Sequence, residues 1–280
     1  MLSMRRFTKF LPKNRLLTSF PARCFGSETN DLLPYKEISF NSVEMVAEDL
    51  PVYDTSEFTA KLWQTVGALR KAGKNAIFLT ISLDFAHFAP VASLVGFRYH
   101  NASGMNSTMM LWLPNTENKV PPYGTHHCGV AGAIVHENKL LVVKEHHKLS
   151  AGWKLPGGYL NAGEEISNGV QREVYEETGI KSKFSSILTF RHQHNIQFGC
   201  SDIYVICRLT PLTTKISVDH EIEDACWIDL NEIKTINKHP MIDLAIDLVQ
   251  TNHPGLQESF MQSTVPGRKP FKIYHPIKER

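Results

Sequence analysis

The stretch from Asp54 to Lys74 carries apolar residues at helical spacing, followed by Gly73 where a helix usually ends. The apolar residues fall on one side of a helix: Phe58, Leu62, Trp63, Val66 and Leu69. The pattern predicts an amphipathic helix whose apolar face packs in a protein core.

The next apolar stretch, Ala76 to Phe97, is long enough to imitate a membrane span. Asp84, His87 and Pro90 interrupt its centre, which would be costly in lipid. The run of branched and aromatic residues up to Leu83 predicts a buried strand, and the remainder predicts a helix. We therefore expect no transmembrane segment and no membrane partner.

Two further strand patterns complete a small α/β unit over residues 34–114. They are FRYHNA and STMMLWLP, joined by the turn-like SGMN. The following segment, residues 115–125, is polar and contains two consecutive prolines. It predicts a linker between two domains.

A second domain is predicted over residues 126–252. Its strand patterns are CGVAGAIV, LLVVKE, FSSILTF, SDIYVICRLT and DACWIDL, and MIDLAIDLVQ has helical spacing. Residues 253–280 are basic and broken by prolines, which predicts a solvated C-terminal tail.

Charge is distributed unevenly along the 280 residues. Residues 1–27 contain six basic residues and no acidic one, and the rest of the chain contains 24 basic and 28 acidic residues, a net charge of −4. The first segment has the composition of an organelle-targeting presequence, which predicts a mitochondrial matrix protein; the alternative is a basic tail on a cytoplasmic protein. The acidic remainder predicts no nucleic-acid partner.

The five cysteines are scattered and form no CxxC pair. This spacing indicates neither a zinc ribbon nor a disulfide framework, and a reducing compartment fits best.

Charged residues crowd behind a double glycine between Gly157 and Ile180. Counted from Gly158, the string reads glycine, five residues, glutamate, seven residues, then REV, one residue, EE, one residue and GI. At every defined position it resembles the signature, or box, of Nudix hydrolases. Seven identities and two apolar positions would coincide by chance on the order of once in ten million chains, given average residue usage.

The resemblance implies a Nudix α/β/α sandwich in the second domain. The first domain is similar to the extra α/β domain of some Nudix proteins, which resembles half of an acetyltransferase fold. It shows no glycine-rich acetyl-CoA loop, so we expect no acyl transfer. A unit without chemistry of its own is expected to pack on the second domain or on a second copy, which predicts a homodimer.

Three glutamates of the box, Glu173, Glu176 and Glu177, share one face of the predicted helix. Clustered carboxylates repel one another and raise each other's pKa. A hard divalent cation such as Mg²⁺ or Mn²⁺ removes that penalty and can bridge to substrate phosphates. We therefore assign all three as metal ligands, with Glu176 and Glu177 also catalytic.

Other box residues have supporting roles. The resemblance makes the Gly157 carbonyl a further metal ligand and gives Arg172 the task of holding box glutamates, with Glu164 as the expected partner. Gly158 lets bare backbone approach a ligand. The helix is expected to begin after an N-cap at Ser167 and to end before Gly179. A helix with these limits would contain the three clustered glutamates.

A catalytic base is expected outside the box. The resemblance places a further acid before the late tryptophan-bearing strand, and Glu221 lies six residues before Trp227. Glu221 is the first choice as general base or extra metal ligand, and Glu223 is the second. A solvated acidic loop is the alternative.

The resemblance implies hydrolysis of the phosphoric anhydride in a nucleoside diphosphate linked to another moiety, of the ADP-ribose or NADH type. A Nudix-fold nucleotide-binding regulator is the alternative, and hydrolysis of capped RNA is disfavoured by the acidic body. Substrate-binding residues stay unassigned, since the downstream proline of ADP-ribose enzymes and the SQPWPFP string of NADH enzymes are absent. His192 and His194 could line the nucleotide pocket or be ordinary structural histidines.

Overall fold

The computed structural model divides into two compact units, and the boundary along the chain lies between Pro121 and Pro122. That position lies inside the segment predicted as a linker. The residues that the structure describes are 32–52, 54–146, 152–218, 222–265 and 268–276. The predicted presequence, residues 1–27, lies outside them.

The first unit is a five-stranded sheet with two helices. Its elements are β1 (Lys36–Ile38), β2 (Ser42–Val46), α1 (Thr55–Lys71), β3 (Ala76–Ser82), α2 (Phe88–Val95), β4 (Arg98–Ser103) and β5 (Asn106–Trp112). The strand order is β1-β2-β3-β5-β4, with β2 and β3 parallel and the other pairs antiparallel.

Helix α1 begins at an acidic cap. The carboxylate of Asp54 accepts hydrogen bonds from the backbone N–H groups of Ser56 and Glu57, at 2.8 and 3.0 Å, which satisfies two donors that a helix start leaves free. Four of the five predicted face residues are buried, but Trp63 is 53% exposed. Its inclusion in the buried face was wrong, because position 63 lies about 100° around the helix from Leu62.

The second unit contains an eight-stranded sheet and two helices. Its elements are β6 (His126–His136), β7 (Lys139–Glu145), β8 (Gly157–Tyr159), α3 (Ile166–Thr178), β9 (Ser182–Gln197), β10 (Cys200–Pro211), β11 (Ile222–Asp229), α4 (Met241–Gln250), β12 (Leu256–Met261) and β13 (Phe271–Pro276). The order is β11-β7-β6-β10-β9-β12-β13, with β8 paired to β6. Strands β6 and β10 are parallel.

The helices α3 and α4 cover opposite faces of this sheet. Side chains alternate between faces along a strand, so Val130 packs with Val174 of α3, whereas its neighbour Ala131 packs with Ile242 of α4. The sheet is therefore the central layer of an α/β/α sandwich.

Helix α3 starts two residues earlier than the sequence indicated. Its N-cap is Glu165, and Ser167 lies inside the helix, where it is buried and accepts a 2.7 Å hydrogen bond from Lys272 Nζ. The predicted Ser167 cap was therefore wrong. The predicted end is correct, since Gly179 closes the helix with φ of 70°, a left-handed conformation that glycine adopts easily.

The prediction that the C-terminal segment is a solvated tail was wrong. Strands β12 and β13 form an antiparallel hairpin, and β12 meets β9 at the edge of the sheet. Tyr274 packs into the same apolar cluster as α3, and Lys272 reaches Ser167 of that helix. Leu256 of β12 packs against the same cluster, so both strands of the hairpin contribute apolar contacts to the side of the sheet that α3 covers.

A helix both long enough and apolar enough to cross a membrane is absent from the described parts of the chain.

Candidate functional site

The double glycine forms the short strand β8, which is pressed between β6 and α3. A Cβ at Gly157 would collide with the carbonyl oxygen of Val130. A Cβ at Gly158 would lie 2.5 Å from Glu173 Oε2, closer than van der Waals contact permits. Gly157 is therefore required by close packing against backbone, a reason that differs from the predicted approach of backbone to a ligand, whereas at Gly158 the neighbour is the end of a flexible side chain.

Arg172 collects the carboxylates at the exposed side of α3. Its Nε and Nη2 donate to the two oxygens of Glu164 at 2.8 and 2.7 Å, a bidentate pair. Its Nη1 donates to Glu173 Oε1 and Glu176 Oε2, each at 2.8 Å. The carbonyl of Tyr159 accepts a further bond at 3.1 Å. One guanidinium thus orients three of the four box glutamates and ties α3 to β8.

The bond to Arg172 also fixes the charge of Glu164. Hydrogen bonding to the guanidinium, aided by the backbone N–H of Asn161, lowers the pKa of Glu164 to about 2. Glu164 is therefore a carboxylate throughout the physiological range, as its role as the anchor of Arg172 requires.

Glu177 faces the other way, into the protein. Its Oε2 accepts a 2.7 Å hydrogen bond from the Gly157 N–H, and its Oε1 lies 3.3 Å from Lys154 Nζ. Lys154 also forms an ion pair with Glu145, at the end of β7. Burial raises the pKa of Glu177 to about 7, against the lowering effects of Lys154 and of the Gly157 N–H. A carboxyl group in this state can gain or lose a proton near neutral pH.

The predicted convergence of three carboxylates is only partly realised. Glu173 and Glu176 meet at Arg172, whereas Glu177 is bonded to Gly157 and Lys154. Within the described ranges, no three histidine, cysteine, aspartate or glutamate side chains are grouped closely enough to hold a metal ion. Each of the three carboxylates contacts a protein cation instead, either Arg172 or Lys154.

The same oxygens nevertheless suit a hard divalent cation. Lys154 Nζ lies 3.4 Å from the Gly157 carbonyl oxygen and 3.3 Å from Glu177 Oε1, so this position already attracts positive charge. Both of these atoms are oxygens, the ligand type that Mg²⁺ prefers. The residues assigned from the sequence therefore fit such an ion by chemistry.

A cleft of about 290 Å³ opens beside this network. Lys154, Gly157 and Gly158 line the end nearest the box. Part of the remaining wall comes from β9, β10, the start of α4 and the residues just before it: Arg191, Ile196, Asp202, Tyr204, His239, Met241 and Ile242. The arrangement can place a ligand against the Gly157 backbone and Lys154, the two groups that Glu177 contacts.

Sequence reasoning missed Lys154, Arg191 and Asp202. Lys154 stands only three residues before Gly157, and that closeness to the box was an available signal. Arg191 and Asp202 are eleven residues apart and meet at 2.6 Å because β9 and β10 are antiparallel neighbours. No spacing rule along the chain could have paired them.

The remaining candidates are Glu221, Glu223, His192 and His194. Glu221 lies outside the described residues. Glu223 is paired with Lys144 at 2.7 Å on an exposed edge. His192 contacts His126, Nε2 to Nε2, at 2.9 Å, and His194 Nδ1 contacts Ser201 Oγ at 2.9 Å. Neither histidine lines the cleft, which favours the structural interpretation of both.

Known family models match both units of the chain. The NUDIX domain family model matches residues 126–247, and a model described as a Nudix hydrolase domain matches residues 33–113. The solved structure of a Nudix hydrolase from Nitrosomonas europaea is similar at a TM-score of 0.41 and 22% identity, covering 46% of this chain and 91% of that one.

Several curated proteins are similar over most of the chain. Human nucleoside diphosphate-linked moiety X motif 6 is 41% identical, covering 67% of this chain and 61% of its own. Nudix hydrolase 8 of Arabidopsis thaliana is 34% identical, covering 79% and 63%. Nudix hydrolase 2 of the same plant is 31% identical, covering 73% and 75%. The chain thus spans less than two thirds of the first two relatives.

Proposed function

The chain belongs to the Nudix hydrolase family, and from that premise we propose that it hydrolyses the pyrophosphate bond of a nucleoside diphosphate linked to another moiety. The predicted family and the predicted fold class are both confirmed. The supporting observation is the box geometry, in which Arg172 orients Glu164, Glu173 and Glu176 while Glu177 stays buried beside the cleft. The products would be a nucleoside monophosphate and a phosphorylated remainder.

Members of the family generally use divalent metal ions, and we propose Mg²⁺ or Mn²⁺ here. Glu173, Glu176, Glu177 and the Gly157 carbonyl would hold the ion, which would neutralise phosphoryl charge and orient water. Glu173 and Glu176 would exchange Arg172 for the ion, and Arg172 would keep its bidentate bond to Glu164. Glu177 must be deprotonated to act as a ligand.

Glu221 is our proposal for the general base or extra metal ligand. Glu223 is already paired with Lys144, which leaves Glu221 as the better candidate of the two. Loss of a general base typically lowers the rate by roughly 10²–10⁴-fold, so Glu221→Gln should lower kcat by about that factor with KM nearly unchanged. Glu223→Gln is the matched control, and equal effects of the two changes would overturn the assignment.

The ADP-ribose or NADH type is the proposed substrate class, supported by the resemblance to two-domain plant members of the family. A phosphate-release assay with a coupled phosphatase tests it on ADP-ribose, NADH, diadenosine and sugar nucleotides, with Mg²⁺ or Mn²⁺. Turnover of ADP-ribose or NADH above the other compounds would support the proposal. Nucleotide binding with no turnover of any compound would overturn it.

One observation favours a nucleotide-binding regulator as the second candidate. Each carboxylate assigned to a metal ion already contacts a protein cation, Arg172 or Lys154, so each is held in place without an ion. Calorimetric titration with Mg²⁺ and Mn²⁺ separates the two candidates, since a regulator of this kind would bind neither.

We also propose import into mitochondria and a homodimeric assembly, both from sequence composition and organisation. A fluorescent reporter fused to residues 1–30 should enter mitochondria, and a diffuse cytoplasmic signal would contradict this. Light scattering at micromolar concentration should give twice the mass of one chain, and a monomer would contradict the dimer.

A further inference from the structure

A buried ion pair lines the cleft at a distance from the box in sequence. Asp202 is 2% exposed, and its Oδ2 accepts a 2.6 Å hydrogen bond from Arg191 Nη2. The guanidinium carbon of Arg191 lies 5.1 Å from the centre of the Tyr204 ring. All three residues belong to the wall of the cleft.

The pair leaves two buried polar atoms without partners. Asp202 Oδ1 and Arg191 Nε make no hydrogen bond with any described residue. Buried polar atoms almost always form a hydrogen bond, because a buried atom without one has lost its hydrogen bonds to water and gained none in the protein. A ligand that presents both a donor and an acceptor would satisfy the two atoms together.

The edge of a nucleobase presents that arrangement. Adenine offers an amino group next to a ring nitrogen, and the other bases offer equivalent pairs on their Watson–Crick edges. The Tyr204 ring adds an aromatic surface beside the guanidinium, and aromatic surfaces favour flat bases. A rotation of Arg191 or Tyr204 would bring both atoms within reach, a change that commonly accompanies binding.

The size of the cleft limits what enters. Its volume of about 290 Å³ is at the lower end for small-molecule sites, which start at roughly 300 Å³. It suits one base and sugar and is too small for both halves of a dinucleotide. The Gly157 and Lys154 end would then meet the phosphates.

We propose that the Arg191–Asp202 pair is the nucleobase-recognition site of this protein. The inference rests on the proposed function for the identity of the ligand class. The base enters the cleft and is held by Asp202 Oδ1 and Arg191 Nε, whereas the moiety beyond the second phosphate stays outside. Selectivity should therefore reside in the base, and the leaving half should vary widely.

Binding of product-like ligands tests this without any hydrolysis. Isothermal titration of the full chain in EDTA compares adenosine monophosphate with ribose 5-phosphate, which lacks the base. The wild-type protein should bind the nucleotide at least tenfold more tightly. Asp202→Asn keeps the shape but changes one acceptor oxygen to a donor, and Arg191→Lys removes Nε. Each should abolish most of that preference and leave ribose 5-phosphate binding unchanged.

Arg208→Lys is the matched control. Arg208 lies on β10 with Asp202 and also has a buried Nε without a partner, but it bonds the Leu248 carbonyl at 3.0 Å and lines a different cavity. This variant should keep the full preference for the nucleotide. Circular dichroism and thermal melting identify any variant that has failed to fold.

Two results would overturn the inference: equal affinity of the wild-type protein for the two ligands, or a preference that survives both Asp202→Asn and Arg191→Lys. Guanosine, cytidine and uridine monophosphates then show which base fits best. A protein that binds adenosine monophosphate through this pair but hydrolyses nothing would refute the proposed function and leave the inference intact. Hydrolysis without any base preference would support the proposed function and refute the inference.

Discussion

The two units of this chain are built from similar parts and differ in what they bury. In the first unit, the buried polar residues among those described are three hydroxyl side chains: Ser42, Thr65 and Ser82. The second unit buries Asp202 and nearly buries Glu177 and Lys154. Burying a charge is costly unless it is paired, and each of these three is paired.

The buried charges set the second unit apart from the first. The first unit has one apolar cluster spanning its sheet and helices, and it behaves as an ordinary packed domain. The second unit has buried charges at positions where apolar side chains would carry a smaller desolvation penalty. We therefore expect changes in the second unit to alter chemistry and changes in the first to alter stability.

The largest effect should come from Glu177→Gln. The change keeps size and shape but removes a ligand charge and a titrating proton from the cleft. We expect kcat/KM for the best substrate to fall by about three orders of magnitude or more, because a lost metal ligand removes charge stabilisation that operates in the transition state. Steady-state phosphate release measures it.

The matched control lies in the first unit. Glu57 is on the surface of α1, where it pairs with Lys61 at 3.0 Å. Glu57→Gln makes the same chemical change and should leave kcat/KM unaltered. Undiminished turnover in Glu177→Gln would mean that the metal is held elsewhere.

The second-largest effect should be on stability alone. Phe58 of α1 is fully buried and stacks on Phe88 with ring centres 4.0 Å apart. Phe58→Ala should lower the free energy of unfolding by about 3–5 kcal/mol, the usual result of opening a large cavity. Urea unfolding followed by tryptophan fluorescence measures it. Activity per folded molecule should stay unchanged, and a parallel loss of kcat would show that the first unit takes part in the chemistry.

The sequence was sufficient for elements whose signal is local. Helix α1, from its Asp54 cap to its end near Gly73, follows from residues within one stretch of chain. The box helix is equally local, because its glutamates share a face through backbone geometry alone. Even so, the start of α3 was misplaced at Ser167, since burial of that hydroxyl against Lys272 depends on a strand 105 residues away.

The site beyond the box depends on packing between distant segments. Lys154 reaches Glu145 and Glu177 only when β7, β8 and α3 have assembled. Arg191 and Asp202 meet through the register of two strands. The strands β12 and β13 were mistaken for a tail because basic residues and prolines are typical of a solvated segment, and their place in the sheet depends on pairing with the distant strand β9.

A third prediction concerns pH and applies to the metal-free protein. Burial raises the pKa of Glu177 from its ordinary value of 4.5 to about 7, so the folded state binds the proton more tightly than the unfolded state does. This stabilisation is fully present below pH 4.5 and is lost as the pH rises through about 7. The shift corresponds to at most about 3 kcal/mol.

Denaturant unfolding in EDTA at several pH values measures this effect. The stability of Glu177→Gln should depend less on pH between 4.5 and 7 than that of the wild-type protein. The lowered pKa of Glu164, about 2, acts in the opposite direction and below this window. Identical slopes in the two proteins would show that Glu177 is ionised throughout.

The smallest effect should come from the cap of α1. The Asp54 carboxylate holds the N–H groups of Ser56 and Glu57, and these bonds lower its pKa. Asp54→Ala leaves both donors to water, and loss of such a cap usually costs about 1 kcal/mol. Urea unfolding should detect a shift of this size, and Asp54→Asn should recover most of the loss because its amide oxygen still accepts. Catalysis and nucleotide binding should be unaffected by either change. If Asp54→Ala instead weakened nucleotide binding as much as Asp202→Asn does, the division between a stabilising unit and a chemical unit would be false.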